Sequence, residues 1–150
     1  MKITKTKLKQ IIKESLEDEY KEKLLMLFKA GNREQAIELS KQVGVDFLVG
    51  ADLSGADLIG ANLAGVNLKG ANLLGADLGI ANLYRANLSY ANLSYANLVG
   101  ADLAGVYLID TNLVGADLEG ADLEGAYLED TKLEDIKYDK NTIWPEGFTP

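Results

Sequence analysis

Residues 51–70 read ADLSGADLIGANLAGVNLKG, and the fold follows from this five-residue pattern. Leu occupies every fifth position from Leu53 to Leu133, which makes 17 consecutive pentads. A small residue stands two positions before each Leu, and it is Ala in thirteen cases and Val or Thr in the others. Neither the period of an α-helix, about 3.6 residues, nor the two-residue period of a strand keeps every fifth residue on one side. The chain therefore bends once per pentad.

A repeat this regular predicts a solenoid, in which each coil packs against its neighbours and stacking builds the core. Tyr, Leu, Asp, Thr and Leu at positions 107, 108, 110, 111 and 113 recur at positions 127, 128, 130, 131 and 133, a displacement of 20 residues. This displacement predicts four pentads per coil, although a recent duplication would produce the same echo. Leu residues 20 positions apart would then lie in successive coils, and the representative candidates for the core are Leu53, Leu73, Leu93, Leu113 and Leu133.

The A-[DN]-L-x-G register of residues 51–135 resembles the pentapeptide repeat family. The resemblance implies a mainly β fold, a right-handed quadrilateral parallel β-helix of about four coils. It also implies that the central Leu and the small residue two before it point inward, and that the other three residues point outward. The tail resembles that of cyanobacterial-type members, which often close with an aromatic and proline-containing segment. The residues expected to cap this end are Ile143, Trp144 and Phe148.

The first segment has a different pattern, which predicts a short helical hairpin. Apolar residues recur there at three- and four-residue spacing, at Leu8, Ile11, Ile12, Leu16, Tyr20, Leu24, Leu27 and Phe28. Gly31 ends this pattern, Asn32 offers a side-chain acceptor at the start of a second helix, and Gly44 ends that helix. The predicted organisation is a helical N-terminal segment and cap at 1–45, a β-helix at 46–138 and a C-terminal capping tail at 139–150.

The amino-acid composition excludes many classes of catalytic site. The chain of 150 residues has no Cys and no His, so thiolate nucleophiles, imidazole bases and most transition-metal sites are absent. We expect no cofactor, no metal site and no catalytic activity. Without an apolar run of about 18 residues or a signal-peptide pattern, the expected location is cytoplasmic and off the membrane. The net charge of −8 argues against direct binding to nucleic acid.

Charge is unevenly distributed, and it points to candidate binding residues. Residues 1–50 hold 10 basic against 8 acidic residues, whereas residues 51–150 hold 5 against 15. Four acids share one outward position in successive pentads and form a girdle, namely Glu119, Glu124, Glu129 and Glu134. Asp110 and Asp130 should lie one coil apart on one face, where each carboxylate could accept a hydrogen bond from the following Thr. A cation between them is the minority alternative.

Outward tyrosines form a second candidate surface. Tyr90 and Tyr95 replace the usual Gly, while Tyr107 and Tyr127 are stacked one coil apart. Aromatic side chains on a rigid surface favour protein recognition, and ladders of Tyr that only stabilise neighbouring coils are an equally good interpretation.

The leading functional prediction is a non-enzymatic scaffold or protein-binding module with an unidentified protein partner. The chain would be a monomer, or a homodimer through one solenoid end. The alternative is a DNA mimic that binds gyrase, similar to quinolone-resistance relatives. The net charge of −10 over residues 51–150 approaches the roughly 12 charges of duplex DNA of about 20 Å. Against it, the charge lies mostly in one half, and the inward residue is Leu where those relatives often use Phe.

Overall fold

The structure is a computed structural model that describes residues 3–150. The chain divides into two compact units, Met1–Phe47 and Leu48–Pro150. The first is helical, and the second contains the pentads. Within the described residues, neither helix of the first unit has the length and hydropathy that a membrane-spanning helix needs.

The first unit is the predicted helical hairpin. Helix α1 spans Lys5–Lys29 and helix α2 spans Arg33–Val43. Thr4 caps α1, because its side chain accepts a hydrogen bond from the N–H of Lys7 at 3.2 Å. Gly44 ends α2 in the left-handed region at φ 69°, as predicted. Asn32 precedes α2 but its side chain makes no capping hydrogen bond, so that part of the prediction was wrong.

The apolar stripe of α1 is buried only near its C-terminal end. Leu24 and Phe28 are 3% and 1% exposed, and the Phe28 ring meets the Phe47 ring edge-on with centroids 5.7 Å apart. The earlier stripe residues are between 44% and 51% exposed, namely Leu8, Ile11, Ile12, Leu16 and Tyr20. Helical periodicity therefore predicted the helix correctly, but it did not distinguish a buried from an exposed stretch of the stripe.

The second unit is built from parallel single-residue β-bridges, and no longer strand is formed among its residues. The bridges run from Asp52↔Asn72 to Asp122↔Ile143, and each residue but the last pairs with a partner 20 residues away. One coil therefore contains four pentads, as the 20-residue echo predicted. We call one pentad of a coil a side, and residues that lie 20 apart a column.

Most pentads share the same backbone hydrogen bonds, three of which form around Leu53. The N–H of Leu53 donates to the carbonyl of Asn72, the N–H of Asn72 donates to Ala51, and the N–H of Ala56 closes a turn onto Leu53, at 2.8, 2.9 and 3.1 Å. The third residue of that turn, Gly55, has φ 62°, a conformation that suits glycine because it lacks a Cβ. This arrangement recurs along the unit and explains why a bend follows every Leu.

The inward Leu side chains form a continuous core. From Leu53 to Leu123 each is at most 1% exposed, and the small residues beside them are mostly buried as well. Four of the five representative core residues are thus buried as predicted, whereas Leu133 is only partly buried. Leu133 differs because no complete coil follows it.

Thr111 and Thr131 stand where most pentads have Ala, and their hydroxyls are satisfied differently from the prediction. Thr111 Oγ1 donates to the carbonyl of Leu88 at 2.7 Å, and Thr131 Oγ1 donates to the carbonyl of Leu108 at 2.8 Å. The expected bonds to the Asp carboxylates are therefore wrong. The physical reason is orientation: the Thr side chain points inward, where backbone carbonyls are available, while the preceding Asp lies at an outward turn.

The C-terminal tail continues the hydrogen-bond ladder for part of one coil. Ile143 bridges Asp122 through its backbone, but its side chain is 49% exposed. The ring of Trp144 contacts those of Tyr138 and Phe148, with centroids 5.7 and 5.3 Å away. Trp144 and Phe148 thus join an aromatic cluster, while Ile143 contributes mainly its main chain.

Asp139 ties the tail to the preceding coil. Its carboxylate accepts from the backbone N–H of Gly120 at 2.9 Å. That bond is the main cause that lowers the pKa of Asp139 below its ordinary value, and the N–H of Asn141 and the hydroxyl of Thr142 act in the same direction.

Candidate functional site

The acidic residues of the girdle lie on different sides of the repeat. Each is exposed and occupies the position directly after the inward Leu of its pentad, and the set is Glu119, Glu124, Glu129 and Glu134. Because four pentads make one coil, they surround the coil instead of converging. They therefore provide a dispersed negative surface and no single chelating or catalytic site.

Asp110 and Asp130 share a column with Tyr90. Each stands at the glycine position of its pentad, with φ 54° for both Asp and 63° for Tyr90. The N–H of Asp110 donates to the carbonyl of Glu129 at 3.0 Å, which joins these adjacent coils. The part of the chain from residue 3 onward contains no group of three or more acidic side chains arranged to hold a metal ion.

Four successive turns of the second unit carry a side chain at the position where the preceding turns of that unit have glycine. Ile80, Arg85, Tyr90 and Tyr95 have φ of 50°, 52°, 63° and 57°. A non-glycine residue in this region costs roughly 1–2 kcal/mol, because Cβ approaches the backbone carbonyl. The sequence pattern had already pointed to the two Tyr residues, and the absence of Gly at positions 80 and 85 is visible in the sequence as well.

These side chains lie over glycines of the next coil. A Cβ added to Gly100 would lie 3.4 Å from Ile80, one on Gly105 would lie 3.2 Å from the Arg85 stem, and one on Gly115 would lie 2.6 Å from the Tyr95 ring. The glycines at 100, 105 and 115 thus serve two purposes. They permit the turn, and they leave room for the side chain of the preceding coil.

The tyrosines at 107 and 127 stack face to face. Their ring centroids are 4.7 Å apart and their planes differ by 2°. On the same side as these rings, Lys69 Nζ lies 5.3 Å from the centroid of Tyr90, and on the adjacent side the Arg85 guanidinium lies 5.0 Å from that of Tyr84. Cations placed over aromatic rings in this way gain a modest stabilisation. Two of the few basic residues of this unit therefore border tyrosines on two adjacent sides.

A cleft of about 510 Å³ spans these two adjacent sides, and we call it the tyrosine cleft. Its lining residues come from three successive coils, and they are Tyr84, Arg85, Ala104, Gly105, Tyr107, Glu124, Gly125 and Tyr127. Of the predicted binding residues, Glu124 and the stacked Tyr107 and Tyr127 line this cleft. Tyr95 and Glu134 lie on another side, so the sequence-predicted residues do not form one site.

Comparisons with known proteins place these features in a family context. The sequence model of pentapeptide repeats matches residues 48–79, 81–120 and 101–136, with eight copies. No curated protein matches the chain significantly.

Solved structures give the same result. A pentapeptide repeat protein from the Arabidopsis thaliana thylakoid lumen is 38% identical, with a TM-score of 0.55 over 56% of this chain and 59% of that protein. This chain therefore spans less than two thirds of that relative's length. A pentapeptide repeat protein from Nostoc PCC 7120 is 43% identical, with a TM-score of 0.50 over 65% of this chain and 77% of that one. The second unit accordingly has the β-helix solenoid architecture of these neighbours, which is right-handed.

Proposed function

Because the chain belongs to the pentapeptide repeat family, we propose that it is a non-enzymatic binding module whose rigid outward surface engages a protein partner. The observation that carries the proposal is the separation of roles within each pentad. Most inward Leu and small residues are buried, and the same hydrogen bonds fix most turns. Outward side chains are thereby held at set spacings, which lowers the entropy lost when a partner binds.

Charge favours a basic partner surface for the C-terminal half. Residues 101–150 hold twelve acidic and three basic residues, whereas residues 51–100 hold three and two. Exposed charges on such a surface steer association and set specificity more than they add affinity. The proposed partner therefore presents basic residues to the girdle.

The proposal also covers the shape of the coil, the role of the first segment, the location and the oligomeric state. We propose a square cross-section for the coil, a cap function for residues 1–45, a cytoplasmic location and no cofactor. A monomer is the proposed state, with a dimer through a solenoid end as its competitor.

The test is partner capture by cross-linking with the full chain, followed by affinity measurement at two salt concentrations. One variant changes Glu119, Glu124, Glu129 and Glu134 to Gln. The matched control neutralises as many acids in the first unit, at Glu14, Glu17, Glu22 and Glu34. We expect affinity for the captured protein to fall, and its salt dependence to shrink, only in the girdle variant. Equal behaviour of the two variants would remove the girdle from the interface.

The gyrase-binding alternative requires a separate test. The fluoroquinolone resistance protein QnrB1 is 25% identical with a TM-score of 0.30, a similarity too low to support an argument about function. Inhibition of gyrase supercoiling by the full chain at micromolar concentration would favour the DNA mimic. Undiminished supercoiling would exclude it.

A further inference from the structure

We propose that the tyrosine cleft binds an extended segment of the partner protein, with an acidic side chain of that segment against Arg85 and a basic one near Glu124. This inference rests on the proposed protein-binding function and names the chemistry of the partner. It assigns the contact to two adjacent sides of the repeat and to residues mostly outside the acidic girdle.

The shape of the cleft suits a narrow chain. Ala104, Gly105 and Gly125 form a floor with almost no side chains, and the stacked rings of Tyr107 and Tyr127 form a wall. These rings are 41% and 45% exposed, so much of their surface is available for contact. Tyrosine supplies large contact area at low conformational cost, which makes it common at the energetic centres of interfaces.

Arg85 lies at one end of the cleft, and its backbone has a strained conformation. It is the one arginine of residues 48–150, and among the residues that the structure describes it forms no ion pair. Its backbone has φ 52°, where glycine would be unstrained. One face of its guanidinium rests on Tyr84, and its stem lies over Gly105. A guanidinium held in this way presents N–H donors suited to a carboxylate.

Glu124 supplies the opposite charge at the other end. It lies in the column of Tyr84 and Ala104, two coils beyond Tyr84. At the sheet spacing of about 4.8 Å per coil, the backbone positions of Tyr84 and Glu124 are roughly 10 Å apart. A segment in the polyproline II conformation advances about 3.1 Å per residue with three residues per turn, so an acidic and a basic residue three positions apart lie about 9 Å apart on the same face.

The opposite charges at the two ends favour a peptide over other ligands. A nucleic acid or an anionic membrane would pair with Arg85, but Glu124 and the acidic C-terminal half would repel it. A single small anion would leave Glu124 and the tyrosine wall unused. A segment with both charges and apolar residues between them satisfies all three parts of the cleft.

The experiment follows backbone amide shifts by NMR in the ¹⁵N-labelled full chain. The probe is a pool of peptides, acetyl-Gly-Asp-X-X-Lys-Gly-amide, with apolar residues at the two X positions. A neutral pool has Asn and Gln in place of Asp and Lys. We expect shifts at Gly105, Tyr107 and Gly125 with the charged pool, and much weaker ones with the neutral pool.

Two pairs of variants make the test specific. Arg85→Gly removes the guanidinium and relieves the turn, so it should fold at least as stably as the parent. It should bind the charged pool roughly tenfold more weakly, because a charge-assisted hydrogen bond is lost. Ile80→Gly relieves the preceding turn without touching the cleft, and its affinity should stay within about twofold.

The second pair of variants adds an aromatic ring, in one case inside the cleft and in the other outside it. Ala104→Tyr would occupy the floor of the cleft, while Ala64→Tyr adds the same ring in the same column outside it. Only the first should abolish binding. The inference is overturned by unshifted cleft amides at millimolar peptide, by equal affinity for the neutral pool, or by full affinity in Arg85→Gly. If the girdle variant loses the captured partner while Arg85→Gly keeps it, the cleft inference fails and the protein-binding function stands.

Discussion

Gly115 offers a sharp test of how neighbouring coils pack, through its substitution by Ala. Gly115 has φ 69°, and a Cβ there would lie 2.6 Å from the Tyr95 ring. Gly75 is the matched control, because it occupies the same column with φ 61° and its added Cβ would meet no atom within 4 Å. The two substitutions impose the same backbone strain but differ in the space available.

The expected magnitudes follow from these contacts. Ala at positive φ costs about 1–2 kcal/mol, and the stiffer unfolded chain returns about 0.4–1 kcal/mol, so Gly75→Ala should lower the free energy of unfolding by about 1 kcal/mol. Gly115→Ala must in addition displace the Tyr95 ring. That ring is 68% exposed and can swing outward, which limits the added loss. Overpacking typically costs about 1–3 kcal/mol, so we expect the lower end, for a total near 2 kcal/mol.

The assay is urea unfolding of the two single variants, of Tyr95→Gly, and of Tyr95→Gly combined with Gly115→Ala. Without the Tyr95 ring, Gly115→Ala should cost no more than Gly75→Ala, which gives a coupling free energy of about 1 kcal/mol. Equal costs for Gly115→Ala and Gly75→Ala in the parent, or zero coupling, would refute the packing of outward side chains onto the next coil's glycines.

The remaining predictions concern the core, the tail and the first unit. Leu93→Ala should lower the free energy of unfolding by about 2–5 kcal/mol in denaturant titrations, and Leu93→Lys should prevent cooperative folding. Asn92→Asp keeps the oxygen that accepts from Ser94 and loses only the 3.3 Å hydrogen bond from Nδ2 to Asn72, so its effect should be smaller. Equal losses of unfolding free energy in the Leu93→Ala and Asn92→Asp variants would contradict the assignment of Leu93 as inward and Asn92 as outward. Because folding lowers the pKa of Asp139, its stabilising contribution is present above the ordinary aspartate pKa of about 3.9 and is lost as pH falls through the folded value. Thermal unfolding between neutral and acidic pH should show this loss, and it should disappear in Asp139→Asn. Deleting residues 1–44 should expose a backbone edge and cause concentration-dependent light scattering with retained β circular dichroism. A monomeric product of unchanged thermal stability would show that these residues are not a cap.

The regular part of the fold was predictable because each pentad repeats one local solution. The spacing of Leu and the 20-residue echo predicted the coil, and the bridges confirm it. The turn position was equally visible, since Gly occupies it in most pentads. The coil and the turn depend only on contacts between residues close in sequence and on contacts with the adjacent coil.

The side-chain partners were not predictable in the same way. The hydroxyl of Thr111 could reach either a neighbouring carboxylate or a carbonyl of another coil, and the structure selects Leu88. The capping prediction at Asn32 failed for a similar reason, because a residue type suited to a cap need not adopt the rotamer that makes one.

The sequence thus determined the period and predicted the number of pentads per coil, while the resemblance to pentapeptide repeats implied the inward and outward register. These features depend on which residues can be buried in a narrow interior. The tertiary fold determined which outward residues meet. Tyr84, Ala104 and Glu124 are far apart along the chain and become neighbours only when coils stack. The burial of only the C-terminal end of the α1 stripe was set in the same way. A period identifies a face, but whether that face finds a partner depends on what folds against it.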